Sequence, residues 1–212
     1  MLAVRDLTFS YHRQSEELFG GLSHDFTPGA LTAVTGPSGR GKSTLLYVLG
    51  LMLTPSRGHV LLDGEAVTRL PDAERSRLRA RNIGFVFQDS ALDASRKVLD
   101  SVIEPALYAG WPVAAAKQRG RELLDEMGLA HRTEHRPGEI SGGQAQRVAV
   151  CRALITDPRV VLADEPTGNL DRDNAAAVLH ALGHASSHER RTVLIATHDP
   201  FVLDHVDEVL QL

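Results

Sequence analysis

Short apolar runs alternate along this chain with longer stretches of mixed polarity. Residues 30–35, 59–62, 83–87, 160–164 and 192–197 form runs of four to six residues, and several lack polar alternation. Such runs predict strands buried on both faces. The stretches 42–51, 72–81, 113–127, 141–155 and 173–185 read as helices. The alternation of the two predicts an α/β fold with a mostly parallel sheet. From about 89 to 153 no convincing strand occurs. That segment reads as a helical insertion between two sheet-forming halves, its end marked by the turn Arg136-Pro137-Gly138. A last short apolar run fills 206–212, and no regulatory tail is expected beyond it.

Composition narrows the class. The chain has 212 residues, which suits one domain, 1–212, with or without a subdomain. It is 42% hydrophobic and 24% charged, ordinary for a soluble globular protein. A net charge of −4 argues against a nucleic-acid partner, whose footprint would be basic. The opening MLAVRDLTFS lacks the layout of a signal peptide. The longest apolar stretch, 45–53, is broken by Gly50 and too short to span a bilayer. The single Cys151 shares helical spacing with Val148 and Leu154 and reads as a buried, inert thiol.

The chemistry begins at GPSGRGKST, 36–44, which satisfies G-x-x-x-x-G-K-[ST] with Gly36, Gly41, Lys42 and Ser43 in the fixed places. Pro37, Ser38, Gly39, Arg40 and Thr44 complete the loop. It follows the strand-like LTAVT and opens the helical STLLYVL, the context that a phosphate cradle needs. Its N–H groups can wrap phosphate oxygens at a helix start, with Lys42 reaching the β- and γ-phosphates of ATP and Ser43 ligating Mg²⁺. The chain has only three lysines, Lys42, Lys97 and Lys117. A compact ammonium fits between phosphates where a planar guanidinium would not.

VVLADE, 160–165, carries Asp164 to the tip of an apolar strand, placed to hold the Mg²⁺ shell. Glu165 lies one residue further, where a water attacking the γ-phosphate would sit. Two acidic residues ending a strand also describe a solvated turn; beside the phosphate loop the chemical reading prevails. His198 follows the apolar TVLIAT and Gln88 ends IGFVFQ. At the same sheet edge His198 can donate to the γ-phosphate, and Gln88 can ligate Mg²⁺ or orient water.

A second anion-binding turn stands at ISGGQAQR, 140–147. Ser141, Gly142 and Gly143 begin a helix, so N–H groups and dipole favour an anion there. A plain N-cap serine with two flexible glycines is the alternative. A glycine pair costs helix stability that Ala would not, which points to close approach of a ligand. One ATP needs one primary cradle, so the second is expected to serve the nucleotide of another copy of the chain.

Together these segments resemble the ATP-binding cassette (ABC) ATPases over essentially the whole chain. Residues 36–44 resemble Walker A, 160–164 Walker B, and ISGGQ, including Gln144, the LSGGQ signature with Ile140 for Leu. Gln88 matches the Q-loop, Asn169-Leu170-Asp171 the D-loop, His198 the H-loop, and Tyr11 the aromatic that stacks on adenine. The resemblance implies a RecA-like P-loop core, a small antiparallel β region near the N-terminus and a helical subdomain at about 89–153. It also implies a head-to-tail dimer, of identical or similar subunits, with each ATP between one Walker A and the partner's signature. Glu165 is then the catalytic carboxylate.

LADEPTGNLD (162–171), IGFVFQ and VIEPALYAG (102–110) resemble a narrower group, the ATPases of lipoprotein release, macrolide efflux and cell division. Those dock as separate polypeptides onto a membrane permease, which implies a cytoplasmic protein peripheral at the inner face of the membrane. Transport and mechanical control of a partner that moves no cargo both occur in the group. The stretch 89–101, which faces the permease in the family, departs from its pattern, as do Arg40 and Ala145. Arg75, Arg77, Arg79 and Arg81 read as a solvated helix face, partly paired with Asp72 and Glu74, or as contacts to anionic headgroups.

Overall fold

A computed structural model of the chain describes residues 1–12, 16–189 and 191–212. Two sheets organise it. β6 (Ile83–Val86), β7 (Val160–Asp164), β8 (Thr192–Ala196), β3 (Leu31–Thr35) and β9 (Glu208–Gln211) form a five-stranded sheet in that order, and every neighbouring pair is parallel. β2 (Leu18–Asp25), β1 (Leu2–Phe9), β4 (Arg57–Leu62) and β5 (Glu65–Ala66) form an antiparallel sheet. The expected α/β class, with a parallel core and a small antiparallel region, is the observed one.

The parallel strands read as unbroken apolar runs because both faces are covered. Every residue of β7 and β8 is buried. On β7, Val161 and Ala163 enter one core with α3 (Val98–Tyr108), α5 (Gly142–Leu154) and α6 (Arg172–Glu189). The alternate Val160 and Leu162 enter a second core with the antiparallel sheet and α1 (Lys42–Leu49). Successive Cβ atoms point to opposite faces, so one strand feeds two cores.

Four strands and two helices escaped the sequence pattern, the second helix being the four-residue α7 (Pro200–Leu203). In β1 the alternation breaks at Arg5 and Asp6, where Asp6 takes φ 48° and the register with β4 shifts. The bulge moves the buried set from Leu2 and Val4 to Leu7 and Phe9. Gly58 accommodates it: a Cβ there would lie 2.4 Å from the carbonyl oxygens of Arg5 and Asp6. β2 carries two glycines at positive φ and is largely exposed, so it has little apolar signature. β5 is two exposed residues, and β9 joins the sheet only by parallel pairing to β3. α3 contains Pro105, which lowers helix propensity, yet Leu99, Val102, Ile103 and Ala106 bury a face at helical spacing.

Between β6 and β7 the described residues hold α3, α4 (Val113–Glu126), two short 3-10 turns and α5, with no strand. α2 (Asp72–Asn82) bears out one expectation in part: Arg75 pairs with Asp72 at 3.2 Å, but the four arginines do not form a single solvated face. Arg75 donates to Thr54 Oγ1 at 2.7 Å and Arg79 to the Leu51 carbonyl at 2.8 Å, so these two clamp the turn after α1. Only Arg77 and Arg81 of the four stand exposed. No helix among the described residues is long and apolar enough to cross a membrane.

Candidate functional site

The C-terminal tips of β3, β6, β7 and β8 lie along one edge of the parallel sheet, and most of the candidate residues follow directly from them. After β3 the chain turns through Gly36 to Gly41 and enters α1 at Lys42. Gly36, Gly39 and Gly41 take φ values of 145°, 82° and 93°, the left-handed region that a side chain disfavours. Packing fixes two of them further. A Cβ on Gly41 would meet Leu18 Cδ1 at 2.9 Å, and one on Gly36 would meet the Leu212 carbonyl oxygen at 2.8 Å. The end of β9 therefore backs the phosphate loop.

The first N–H groups of α1 follow the loop directly and have no partner inside the helix. Lys42 Nζ donates to the carbonyls of Gly36 (3.0 Å) and Pro37 (3.4 Å), which folds the ammonium back over the loop. Arg40, exposed, pairs with Glu16 at 3.7 Å. Tyr11 is 58% exposed, and its hydroxyl lies 2.8 Å from Thr44 Oγ1 in the first turn of α1. Its ring packs edge-on against Phe9 with centroids 4.8 Å apart.

Asp164 closes β7 at the same edge. Ser43 Oγ donates to its Oδ1 at 2.8 Å and Tyr47 makes a longer contact to Oδ2 at 3.4 Å. Burial raises the Asp164 carboxyl above the ordinary carboxylate range against the pull of the Ser43 bond. A hydroxyl beside a carboxylate is a hard-oxygen pair of the kind Mg²⁺ takes when phosphates supply the remaining ligands, so the donor set fits that ion.

Glu165 adopts φ 44°, an uncommon backbone state for a residue with a Cβ, and its N–H donates to the Ala196 carbonyl at 2.9 Å. Its carboxylate accepts from Thr197 Oγ1 at 3.3 Å and lies 2.7 Å from His198 Nδ1. Gln88 follows β6 in an exposed turn, and its Nε2 would lie 3.7 Å from a Cβ added at Gly168. The structure thus brings Gln88, Glu165 and His198 to one sheet edge from three strands.

The second turn has a more local explanation than the sequence suggested. Ser141 caps α5: its Oγ accepts from Gln144 N at 3.2 Å, and its own N–H donates to Gln144 Oε1 at 3.0 Å. This reciprocal capping box uses one acceptor site of the Ser141 hydroxyl and leaves its O–H available to donate. Gly143 is glycine for packing within the chain, since a Cβ there would lie 2.3 Å from Asn174 Oδ1. A Cβ on Gly142 would meet nothing within 4 Å. Packing against Asn174 thus accounts for the second glycine without ligand approach, while no contact with the described residues demands the first. Asp171 sits at the start of α6, with both carboxylate oxygens accepting from Asn174.

Three contact-forming residues went unread in the sequence. Gln146 Nε2 donates to the Phe87 carbonyl at 3.1 Å, while Arg152 donates to the carbonyls of Ser90 and Ala91, both at 2.7 Å. α5 therefore grips the segment that holds Gln88. A Gln and an Arg beside apolar positions of a helix were the available signal. Asn174 is the third.

A family model for ABC transporters matches residues 19–168. The lipoprotein-releasing system ATP-binding protein LolD of Paramagnetospirillum magneticum is 43% identical over 204 residues, covering 96% of this chain and 90% of its own. LolD of Pseudomonas fluorescens is 42% identical, covering 100% and 94%. The macrolide export ATP-binding/permease protein MacB 1/2 of Paracoccus denitrificans is 46% identical over 188 residues, which cover 89% of this chain and 28% of that one. Among solved structures, the dimeric ATP-binding cassette MJ0796 in a post-hydrolysis state with ADP and Pi superposes with a TM-score of 0.90 at 30% identity, covering 100% and 94%.

Proposed function

As this chain belongs to the ABC transporter family, we propose that it is an ATP-hydrolysing nucleotide-binding subunit that works as a head-to-tail dimer and drives a separate membrane permease. The near full-length likeness to two lipoprotein-releasing ATP-binding proteins supports a permease of the release or efflux type. The protein then works in the cytoplasm, peripheral to the membrane through its partner.

The observation that carries this reading is the Ser43–Asp164 bond of 2.8 Å, with Lys42 and Glu165 each one residue away from it in sequence. The loop N–H groups and Lys42 hold the β- and γ-phosphates of ATP. Tyr11 stacks on adenine. Ser43, Asp164 and Gln88 would hold Mg²⁺, which when bound would neutralise charge on the phosphates. Glu165 positions and polarises the attacking water, and His198 donates to the γ-phosphate. Attack forms the bond from water oxygen to γ-phosphorus, and the bond to the β–γ bridging oxygen breaks, leaving ADP and phosphate. Ser141, Gly142, Gly143 and Gln144 present α5's start to the ATP of the partner subunit, and Asp171 lies at the same junction.

The two-subunit assignment is tested by mixing Ser141→Arg and Lys42→Ala chains in the Glu165→Gln background with Mg·ATP. The heterodimer keeps one intact composite site, so mixing yields more ATP-dependent dimer in size exclusion than either variant alone. Loss of ATP binding by isolated Ser141→Arg monomers would assign the second turn to its own chain's nucleotide and sink the reading.

A further inference from the structure

Asn174, in the first turn of α6, touches two segments that the proposed function turns toward the partner subunit. Its N–H donates to Asp171 Oδ1 at 2.9 Å and its Nδ2 donates to Asp171 Oδ2 at 2.8 Å, so one residue holds both carboxylate oxygens. These bonds, the main-chain one first, keep the Asp171 carboxyl below the usual carboxylate range. The same amide also lies against α5. A Cβ on Gly143 would come within 2.3 Å of Asn174 Oδ1, 2.4 Å of its Cγ and 2.9 Å of its Cβ. Gly143 is buried and without a side chain, which leaves room for the amide.

We propose that Asn174 is a positioning residue, a strut that sets Asp171 against the Gly142–Gly143 turn so that both segments meet the partner as one body. A planar amide has two donors on one end and an acceptor on the other. Here the donor end is fixed on a carboxylate and the acceptor end is wedged over a glycine, so the amide cannot rotate without disturbing one of them. A residue that served only the start of α6 would need the main-chain bond to Asp171 and nothing against Gly143. The strut itself does not depend on the two-subunit reading; its consequence for assembly does.

The test separates the two. Amide hydrogen exchange is followed at 141–145 and 169–174 in the isolated chain without nucleotide, for Asn174→Ala, Gly143→Ala and the double variant. The strut requires Asn174→Ala to speed exchange at 141–145 by about five-fold, the scale of an ordinary single-residue truncation that removes packing against Gly143. It requires Gly143→Ala, whose methyl must push Asn174 aside, to speed exchange at 169–174. It also requires the double variant to be no worse than the more affected single one. Unchanged exchange at 141–145, or effects that simply add, overturn the strut. Asn174→Ser, polar but too short to span the gap, reads the same way if alanine unfolds the helix start.

In the Glu165→Gln background, Asn174→Ala is then expected to weaken the ATP-locked dimer by about five-fold or more while ATP affinity of the isolated chain stays at the parent value. A dimer as tight as the parent overturns the positioning role. If the parent itself forms no ATP-locked dimer, the two-subunit reading has failed, and the exchange data alone decide the strut.

Discussion

The Nδ1 of His198 lies 2.7 Å from Oε1 of Glu165, joining the residues that follow β7 and β8. The glutamate side chain is 15% exposed and the histidine 75%. The carboxylate is thus seated among neighbours while the imidazole stays on the open side. Thr197 donates to the second oxygen of Glu165, so the residue proposed to polarise water is oriented by the two residues that follow β8. Its φ of 44° adds a backbone cost of about 1 kcal/mol or more, the kind of strain that collects at functional positions.

Glu165→Gln keeps the size of the side chain and removes the charge that polarises water. Steady-state phosphate release is expected to fall about 10²-fold or more, the scale of losing a general base, with ATP binding preserved. Turnover near the wild-type rate would exclude Glu165 as the key carboxylate.

Lys42→Ala removes the ammonium that now rests on the Gly36 and Pro37 carbonyls. ATP affinity, measured by equilibrium titration, should drop at least ~10-fold, the scale of one charge-assisted hydrogen bond. An unchanged dissociation constant contradicts the phosphate assignment.

Tyr11 is expected to act through its ring. Tyr11→Ala should weaken ATP about ten-fold, as loss of a base–aromatic stack does. Tyr11→Phe, which loses the Thr44 contact but keeps the ring, should stay within about three-fold, less than the ordinary contribution of one hydrogen bond. Equal losses in the two variants would place the effect in the hydroxyl instead.

Asp164 carries a stability cost. Its folded-state carboxyl is raised by burial, so the folded chain holds that proton more tightly than the unfolded one. Stability linked to it is therefore full at pH below the unfolded value and is lost as pH rises through the folded one. At neutral pH the buried charge opposes folding. Asp164→Asn keeps an acceptor for Ser43 and should raise the melting temperature without ligand, by about 2–4 °C for each kcal/mol recovered. The gain should shrink as pH falls toward the ordinary carboxylate range, where the wild-type side chain is already neutral. A lower melting temperature for Asp164→Asn at pH 7.5 would contradict this, as would a gain that grows in acid.

Much of the site was legible along the chain because its physics is local. A phosphate cradle needs glycines at left-handed φ and a lysine at the first helical position, and those occupy adjacent places in 36–44. A strand covered on both faces needs an unbroken apolar run, so β7 and β8 announced themselves and carried Asp164, Glu165 and His198 to a common edge. What depends on partners distant in sequence was not legible. β1 keeps its pairing with β4 through a bulge that Gly58 accommodates, while β9 gains its place only beside β3. The second glycine of the signature looked like a ligand's footprint until Asn174, 31 positions away, was seen pressed against it. Local backbone demands are written in neighbouring residues, whereas the reason for a missing side chain lies in whatever the fold sets beside it, and only tertiary packing decided that.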